Sequence, residues 1–328
     1  MWFKNLQPYR ITDLAKIDLA TLDAELKKRS FVPAGSLDRL TAGWIAPAAH
    51  APDIFAYANS GAVLIALKTE EKLLPSSVVK EAAEERIADI ESKEFRKVSK
   101  KEAKEIRERI AEELLPRAFS RSRVLRALID PEAGWIWVDS ATPAKAELLV
   151  QFLRETLGSL PTKLAQTQLD PVTAMSTWLD HNAPSNFTID ADCVLKAPGE
   201  GGAQVTCRRH DLNSDEVKLH LKSGKMVVQL ALSWDDRIAF VLTEKLQIKR
   251  LQFLDLLQDQ LKESDAEDAA ALFDTSLTLL VLEGRGLLAA VIEALGGEMG
   301  EVGAPVAAPA PAPQAKPEAS EGKVDVPW

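Results

Sequence analysis

Residues 123–143 read RVLRALIDPEAGWIWVDSATP, and this stretch decides the fold class that the sequence predicts. Two β-rich segments lie on either side of the turn sequence PEAG, which is typical of a β-hairpin. Thr142 and Pro143 then supply an N-cap and a first-turn proline for a helix that Gly158 ends. A hairpin that leads directly into a helix predicts an α+β protein in which helices flank mixed sheets.

Outward from this unit, hydrophobic periodicity divides the chain into further elements. It predicts strands at residues 3–11, 61–68, 123–130, 134–139, 187–196, 203–208, 226–233, 237–242 and 246–253. It predicts helices at residues 17–29, 77–95, 99–115, 142–158, 171–181, 214–221 and 254–262. The last predicted element is a strand followed by a helix over residues 276–295, with Gly284 and Gly286 at the break between them.

Two neighbouring helices, at residues 77–95 and 99–115, carry few apolar residues and many charges. Ser99 and Glu102 fit a capping box, in which the hydroxyl and the carboxylate both bond free amides at the helix start. Pro116 ends the second helix. Because each helix offers only a narrow apolar stripe, we predict that the pair projects from the body as a helical tip.

The composition excludes several classes of protein. Of the 328 residues, 46% are hydrophobic and 27% are charged, so the chain can bury a core. The only cysteines are Cys193 and Cys207, and neither they nor the four histidines have metal-ligand spacing. We therefore expect no metal, no cofactor and a reducing cytoplasm.

No membrane segment is predicted. No apolar run approaches the roughly 18 residues that span a bilayer, and the longest, residues 277–282, has the length of a strand. The first residues lack the apolar core and cleavage site of a signal peptide. We therefore expect a cytoplasmic protein without a membrane partner.

The net charge of −9 argues against a nucleic-acid partner, yet the local distribution of charge favours one. Residues 117–126 contain four arginines and no acid, and arginine offers forked donors to phosphate oxygens. Residues 93–109 are also basic, but glutamates interleave with the lysines. For that segment, a solvated helix with internal ion pairs is an equal alternative.

Two further basic patches lie at residues 208–225 and 245–250, each near acidic residues. The sequence contains no recognisable motif for reading DNA bases, so we predict binding to duplex DNA through phosphates, without sequence preference. The predicted DNA-binding residues are Arg117, Arg121, Arg123, Arg126, Lys97, Lys100, Lys101, Lys104, Arg208, Arg209, Lys225, Lys249 and Arg250.

Three aromatic residues have two kinds of expected role. Trp135 and Trp137 share one face of a predicted strand, and core packing is the expected role of both. Phe119 lies between arginines just after a charged helix. It is either a core residue or the anchor of a subunit contact.

Signals of catalysis are weak, and we expect a protein that is not an enzyme. The pair Asp235 and Asp236 precedes a predicted strand, where a hairpin turn is the expected role and a metal-binding carboxylate pair the alternative. The glycines of residues 199–202 indicate a turn rather than a phosphate-binding loop. The alternative functions are a magnesium-dependent nuclease that uses Asp235 and Asp236, or a protein-interaction scaffold.

Several collinear blocks make the chain similar to the bacterial RdgC family of recombination-associated proteins. The resemblance covers residues 1 to about 297, and the Ala/Pro-rich residues 301–328 lie outside it. The blocks are WFKNL at 2–6, YR at 9–10, GW at 43–44, EKLLPS at 71–76, LLPRAFSR at 114–121, LGSLP at 157–161, LALSW at 230–234 and IKRL at 248–251.

The resemblance implies an elongated subunit of a ring-shaped homodimer that encircles duplex DNA at the nucleoid and restrains RecA. It implies subunit contacts at Phe119, Leu115 and His210, although the run at residues 208–212 departs from the family pattern in residue type. The expected regions are an α/β part of the central body at 1–75, the helical tip at 76–116, a βα unit of the body at 117–165, a mixed α/β base at 166–300 and a disordered tail at 301–328.

Overall fold

The computed structural model describes residues 2–254 and 268–299. The strands are β1 (Gln7–Ile11), β2 (Leu40–Ile45), β3 (Tyr57–Asn59), β4 (Ala62–Leu73), β5 (Phe119–Asp130), β6 (Trp135–Val138), β7 (Thr162–Leu164), β8 (Phe187–Lys196), β9 (Gln204–Cys207), β10 (Met226–Trp234), β11 (Ile238–Thr243) and β12 (Ile248–Phe253). The helices are α1 (Leu22–Lys28), α2 (Ser76–Glu94), α3 (Lys100–Leu114), α4 (Pro143–Leu157), α5 (Pro171–Asp180), α6 (Asp215–Lys222) and α7 (Ala269–Ala294).

This element order confirms the α+β class, and most predicted elements are present with shifted ends. Sequence patterns do not predict β2, β3 and β7, which are short or lie at a sheet edge. The predicted helix at 254–262 and the predicted tail at 301–328 lie outside the described residues, apart from Leu254 itself.

Seven strands form an antiparallel sheet, the N-terminal sheet, in the order β2-β4-β5-β6-β1-β7, with β3 also paired to β4. β4 and β5 pair from Val63 opposite Ile129 to Leu73 opposite Phe119. The inner end of β5 is buried, whereas its outer end is exposed. The predicted hairpin of β5 and β6 is confirmed.

Five antiparallel strands form the C-terminal sheet, in the order β12-β11-β10-β8-β9. Register shifts between β10 and β8 and between β11 and β12 mark bulges, which bend the strands. The two sheets meet where Leu6 and Ile248 exchange backbone hydrogen bonds of 2.7 and 3.0 Å. The predicted strand at 3–11 is therefore divided, because its first residues pair with the C-terminal sheet rather than with the N-terminal one.

α7 is the central helix of the core. The prediction of a strand followed by a helix in residues 276–295 is wrong. Residues 277–282 lie inside one continuous helix. Gly284 and Gly286 do not break it, because each faces an aromatic ring: an added Cβ would lie 2.7 Å from Trp137 or Trp234 respectively. The two glycines therefore let a tryptophan from each sheet approach the helix closely.

α7 is also long and apolar enough, by length and composition alone, to cross a membrane, whereas the sequence patterns predict no such segment. In its most apolar window 61% is buried inside the protein. Glu283 and Arg285, in the middle of the helix, form ion pairs with Arg237 and Asp130. Burial and internal ion pairs are the features of a core helix in a soluble protein.

Buried side chains form two clusters on the two faces of the N-terminal sheet. Trp44 and Leu149 belong to the cluster beneath α1 and α4. Trp135, Trp137 and Leu230 belong to the larger cluster, which joins both sheets to α7. The predicted core role of the two neighbouring tryptophans is confirmed.

α2 and α3 pack against each other, and each buries a single alanine. Ser99 Oγ accepts the N–H of Glu102 at 3.2 Å, which confirms the hydroxyl half of the predicted capping box. The carboxylate half is wrong, because the Glu102 oxygens accept bonds of 2.6 and 2.7 Å from the Arg96 guanidinium. An ion pair at this turn therefore replaces the second capping bond.

Candidate nucleic-acid interface

The arginines of residues 117–126 do not form one patch, because β5 distributes them over two faces of the N-terminal sheet. Side chains alternate along a strand, so Arg121 and Arg123 share one face while Arg126 points to the other. Arg117 precedes the strand in a short 3-10 turn and is exposed. The run therefore contributes to two surfaces.

Acidic side chains from elsewhere in the chain lie near two of these arginines, but among the described residues only Arg121 forms an ion pair. Arg121 lies opposite Glu71 on β4, and its Nη2 is 3.1 Å from Glu71 Oε2. Arg126 lies near Asp139, whose pKa burial raises above its ordinary value in spite of bonds from backbone amides and the charge of Arg126. Among the described residues, no carboxylate lies within the 4.0 Å ion-pair distance of Arg117, Arg123 or Arg126.

The three residues expected at subunit contacts differ in exposure. Phe119 is 85% exposed at the start of β5, which excludes the core alternative. Leu115 is only 3% exposed, because its own chain covers it. His210 is half-buried, with Nδ1 bonded to Asp211 O at 2.9 Å and Nε2 3.6 Å from the Glu216 carboxylate. Of the three, only Phe119 presents a large apolar surface, and the subunit contact stays a prediction.

The ion-pair alternative for residues 93–109 is confirmed for part of the segment, and DNA binding by the rest stays a prediction. Arg96 binds two glutamates, and Lys104 is 3.7 Å from the Glu108 carboxylate one turn away. Lys97, Lys100 and Lys101, by contrast, are exposed near the N-terminus of α3, with no carboxylate of the described chain at ion-pair distance. Together with Arg107 and Arg109, these three lysines are the cations of the segment without an ion pair among the described residues.

A groove of about 920 Å³ lies between the helical pair and the ends of β2 and β4. Leu40 and Leu115 contribute to its apolar lining. It is also lined by basic residues: Lys104 and Arg107, together with Arg39, Lys72 and Lys80, which are absent from the predicted DNA-binding set. These residues are far apart in sequence, and no local pattern indicates that they meet.

Asp192 on β8 brings together basic residues from two separate sequence patches. Its oxygens accept the Arg209 backbone N–H and Arg250 Nη1, both at 2.9 Å. The backbone bond from Arg209, followed by the charges of Arg250 and Arg208, holds the pKa of Asp192 below its ordinary value. Arg250 on β12 reaches β8 across two strands because the bulges curl the sheet.

The remaining predicted lysines lie at two places. Lys249 lines a cavity of about 300 Å³ on the C-terminal sheet together with Lys245 and Lys196. Lys196 is absent from the predicted set, although strand alternation in β8 places it on the face of Asp192. Lys225 bonds Ser223 and a histidine at the end of α6 and does not line this cavity.

The predicted turn at Asp235 and Asp236 is confirmed. They join β10 to β11 with φ angles of 47° and 51°, in the left-handed region. In residues 2–254 and 268–299, no group of three His, Cys, Asp or Glu side chains is placed to hold a metal ion. The glycines of residues 199–202 form the turn between β8 and β9, as predicted.

Comparison with known proteins identifies one family. The family model described as "Putative exonuclease, RdgC" matches residues 1–298. Proteins named recombination-associated protein RdgC are similar to this chain in Laribacter hongkongensis (47% identical, 91% of this chain and 99% of the relative), Dechloromonas aromatica (45%, 92% and 99%) and Pseudomonas aeruginosa (41%, 91% and 98%). With this identity over nine-tenths of its length, the chain belongs to the RdgC family.

Proposed function

We propose that this chain binds duplex DNA without sequence preference, acts in recombination and replication by restraining RecA on DNA, and is not an enzyme. The relatives are named for recombination, which supports a role in that process. The observation that carries DNA binding is that Lys97, Lys100, Lys101 and Arg117 are exposed and form no ion pair within residues 2–254 and 268–299, although the net charge is −9. A molecule with this total charge needs locally basic surfaces to approach a polyanion.

The uncompensated lysines at the start of α3 support this role. Cations near a helix N-terminus oppose the helix dipole, which costs about 0.3–1 kcal/mol for each at low salt. Lys100 and Lys101 lie in that first turn, and Lys97 just precedes it. Because they do not stabilise the helix, a phosphate ligand accounts for their position better than folding does.

A homodimer that encircles the duplex is the assembly that we propose. Phe119 supports it, because an aromatic side chain that is 85% exposed is a typical anchor of a protein interface. A closed ring would hold DNA through its topology as well as through charge. By occupying the duplex, it would limit the access of RecA and locate the protein at the nucleoid.

Fluorescence anisotropy with three unrelated duplexes over a range of salt concentrations tests DNA binding. We expect equal affinities and a salt slope of about −0.9 for each neutralised phosphate. Arg117→Ser with Arg123→Ser should weaken binding to all three duplexes alike and flatten the slope. Lys28→Ser removes one charge from an ion pair on α1 and serves as the control. Unchanged affinity in the double variant would contradict the proposed interface.

The assembly is tested separately. Light scattering should give a dimer mass that Phe119→Ser lowers. A ring is retained at high salt on a circular plasmid but slides off the same plasmid once it is linear. Equal loss from both forms would contradict encirclement.

The family description names an exonuclease, so nuclease activity is the second candidate. The carboxylates that the sequence suggests for it, Asp235 and Asp236, are neighbours in a tight turn. Incubation of linear and circular plasmid with Mg²⁺ or Mn²⁺ tests this activity, and we expect no cleavage. Cleavage that Asp235→Asn abolishes would establish the nuclease, whereas absence of DNA retention at low salt would indicate a protein-interaction scaffold.

A further inference from the structure

The two cysteines of the chain face each other across neighbouring strands. Cys193 on β8 is directly opposite Cys207 on β9, and both thiols are free. Further along the same ladder, the Ala197 N–H donates to Ala203 O at 2.9 Å, so every second pair, including the cysteines, is a hydrogen-bonded pair. Such pairs have Cα atoms about 5.5 Å apart, which is a common Cα separation in disulfides.

The two thiols differ in their access to solvent. Cys193 is 3% exposed in the core, and burial followed by the neighbouring Cys207 thiol raises the pKa of Cys193 to about 12. Cys207 is half-buried and lines an open cavity of about 630 Å³ between β9 and α6, beside Arg208 and His210. A small oxidant therefore reaches Cys207 first, and Cys193 stays protonated behind it.

We infer that Cys193 and Cys207 form a redox-reactive dithiol that closes a reversible intramolecular disulfide when the protein meets a peroxide. Cys207 attacks the peroxide, its sulfur gains one oxygen as a sulfenic acid, and an alcohol or water leaves. The Cys193 thiol then gives its proton to the sulfenic hydroxyl as its sulfur attacks the Cys207 sulfur, so the S–O bond breaks, water leaves and the S–S bond forms. The two thiols lose two electrons and two protons, and the peroxide is reduced.

The location of the pair gives the disulfide a structural effect. β9 is a four-residue strand at the edge of the C-terminal sheet, and it leads directly into Arg208 and Arg209. The His210 N–H donates to the Ala191 backbone carbonyl, and the Arg209 N–H donates to the Asp192 carboxylate, and such hydrogen bonds hold this segment against β8. A covalent link at Cys207 would fix the edge strand and the basic residues after it. In a reducing cytoplasm the link is transient, and a dithiol reductant reopens it.

The test uses the reduced full-length chain and hydrogen peroxide. After treatment, the protein is denatured, alkylated with iodoacetamide and weighed by mass spectrometry. We expect a mass two hydrogens below the reduced chain, no alkylation, no cross-linked chains on a non-reducing gel, and two alkyl groups after dithiothreitol. Two alkylated thiols after peroxide, irreversible sulfinic acid or disulfides between chains would overturn the inference.

Thermal unfolding gives a second measurement. Because the crosslink closes a loop of about 15 residues, oxidation should raise the Tm of the chain by roughly 5 °C. Cys207→Ser should show no change in Tm on oxidation and should retain an alkylatable Cys193. Equal Tm values for the oxidised and reduced wild-type chain would contradict the proposed fixation of β9.

Discussion

The ion pair between Asp130 and Arg285 joins the N-terminal sheet to α7, and its removal is the perturbation whose size follows most directly from the structure. Asp130 ends β5 and is fully buried. Its two oxygens accept Arg285 Nε at 2.7 Å and Nη2 at 2.9 Å, and one of them also accepts the Ala133 N–H at 3.1 Å. Asp130→Ala removes all three bonds and leaves the guanidinium without its main partner.

Breaking a buried pair by removing one partner costs about 3–5 kcal/mol. Arg285 is 21% exposed and keeps a second carboxylate, Glu132, at 2.9 Å. Because this residual pairing and water offset part of the loss, we expect Asp130→Ala to lower the free energy of unfolding by about 3 kcal/mol. Urea denaturation followed by tryptophan fluorescence measures it, since Trp135 lies opposite Asp130 on β6.

Two variants serve as controls for this prediction. Arg121→Ala breaks an ion pair whose side chains are about half exposed, and it should cost less than about 1 kcal/mol. Arg285→Met added to Asp130→Ala should recover part of the lost stability, because no unpaired charge remains. A loss below about 1 kcal/mol for Asp130→Ala would show that the pair does not join the sheet to the helix as described.

Three further predictions concern ionisation and packing. Burial raises the pKa of Asp139, so the folded protein favours the neutral carboxyl, and the ionised carboxylate lowers the free energy of unfolding as the pH rises above the ordinary pKa of 3.8. In urea denaturation, the stability of Asp139→Asn relative to wild type should therefore increase from pH 4 to pH 7. A stability difference that does not increase with pH would refute this prediction. Gly286→Ala should lower the free energy of unfolding by about 1 kcal/mol, because overlap with a tryptophan ring 2.7 Å away outweighs the helix preference of alanine. Ala289 is exposed, and Ala289→Gly should lower the free energy of unfolding by about 1 kcal/mol through helix preference alone. Burial and a carboxylate partner raise the pKa of both tyrosines, Tyr57 to about 12 and Tyr9 in the same direction, so tyrosinate absorbance should be nearly absent at pH 11 in the native protein and appear in urea.

Local patterns predict the hairpin of β5 and β6 and the helical pair because their signals lie within a few residues of each other. The error at α7 has a tertiary cause. Gly284 and Gly286 lower the local preference for a helix, and the reason for their presence is two tryptophan rings that arrive from different sheets. No property of residues 276–295 alone reveals those contacts.

At the candidate site, local sequence likewise fails to predict which charges are compensated. The absence of acids in residues 117–126 does not mean absence of compensation, because Glu71 reaches Arg121 from the neighbouring strand. Strand alternation alone separates Arg121 from Arg126, and that part is predictable from sequence. The meeting of Arg208 and Arg250 at Asp192 is not, because it depends on bulges that curl the C-terminal sheet.

The position of α7 in the chain has a consequence for synthesis in the cell. Every described strand precedes this helix, yet the inner faces of both sheets, with Trp137 and Trp234, pack against it. At a translation rate of about 5–20 residues per second, β6 leaves the ribosome on the order of ten seconds before α7 does. During that interval the face of the N-terminal sheet that carries Trp137 lacks its contact with α7. A chaperone that shields it until α7 emerges should therefore raise the yield of folded protein.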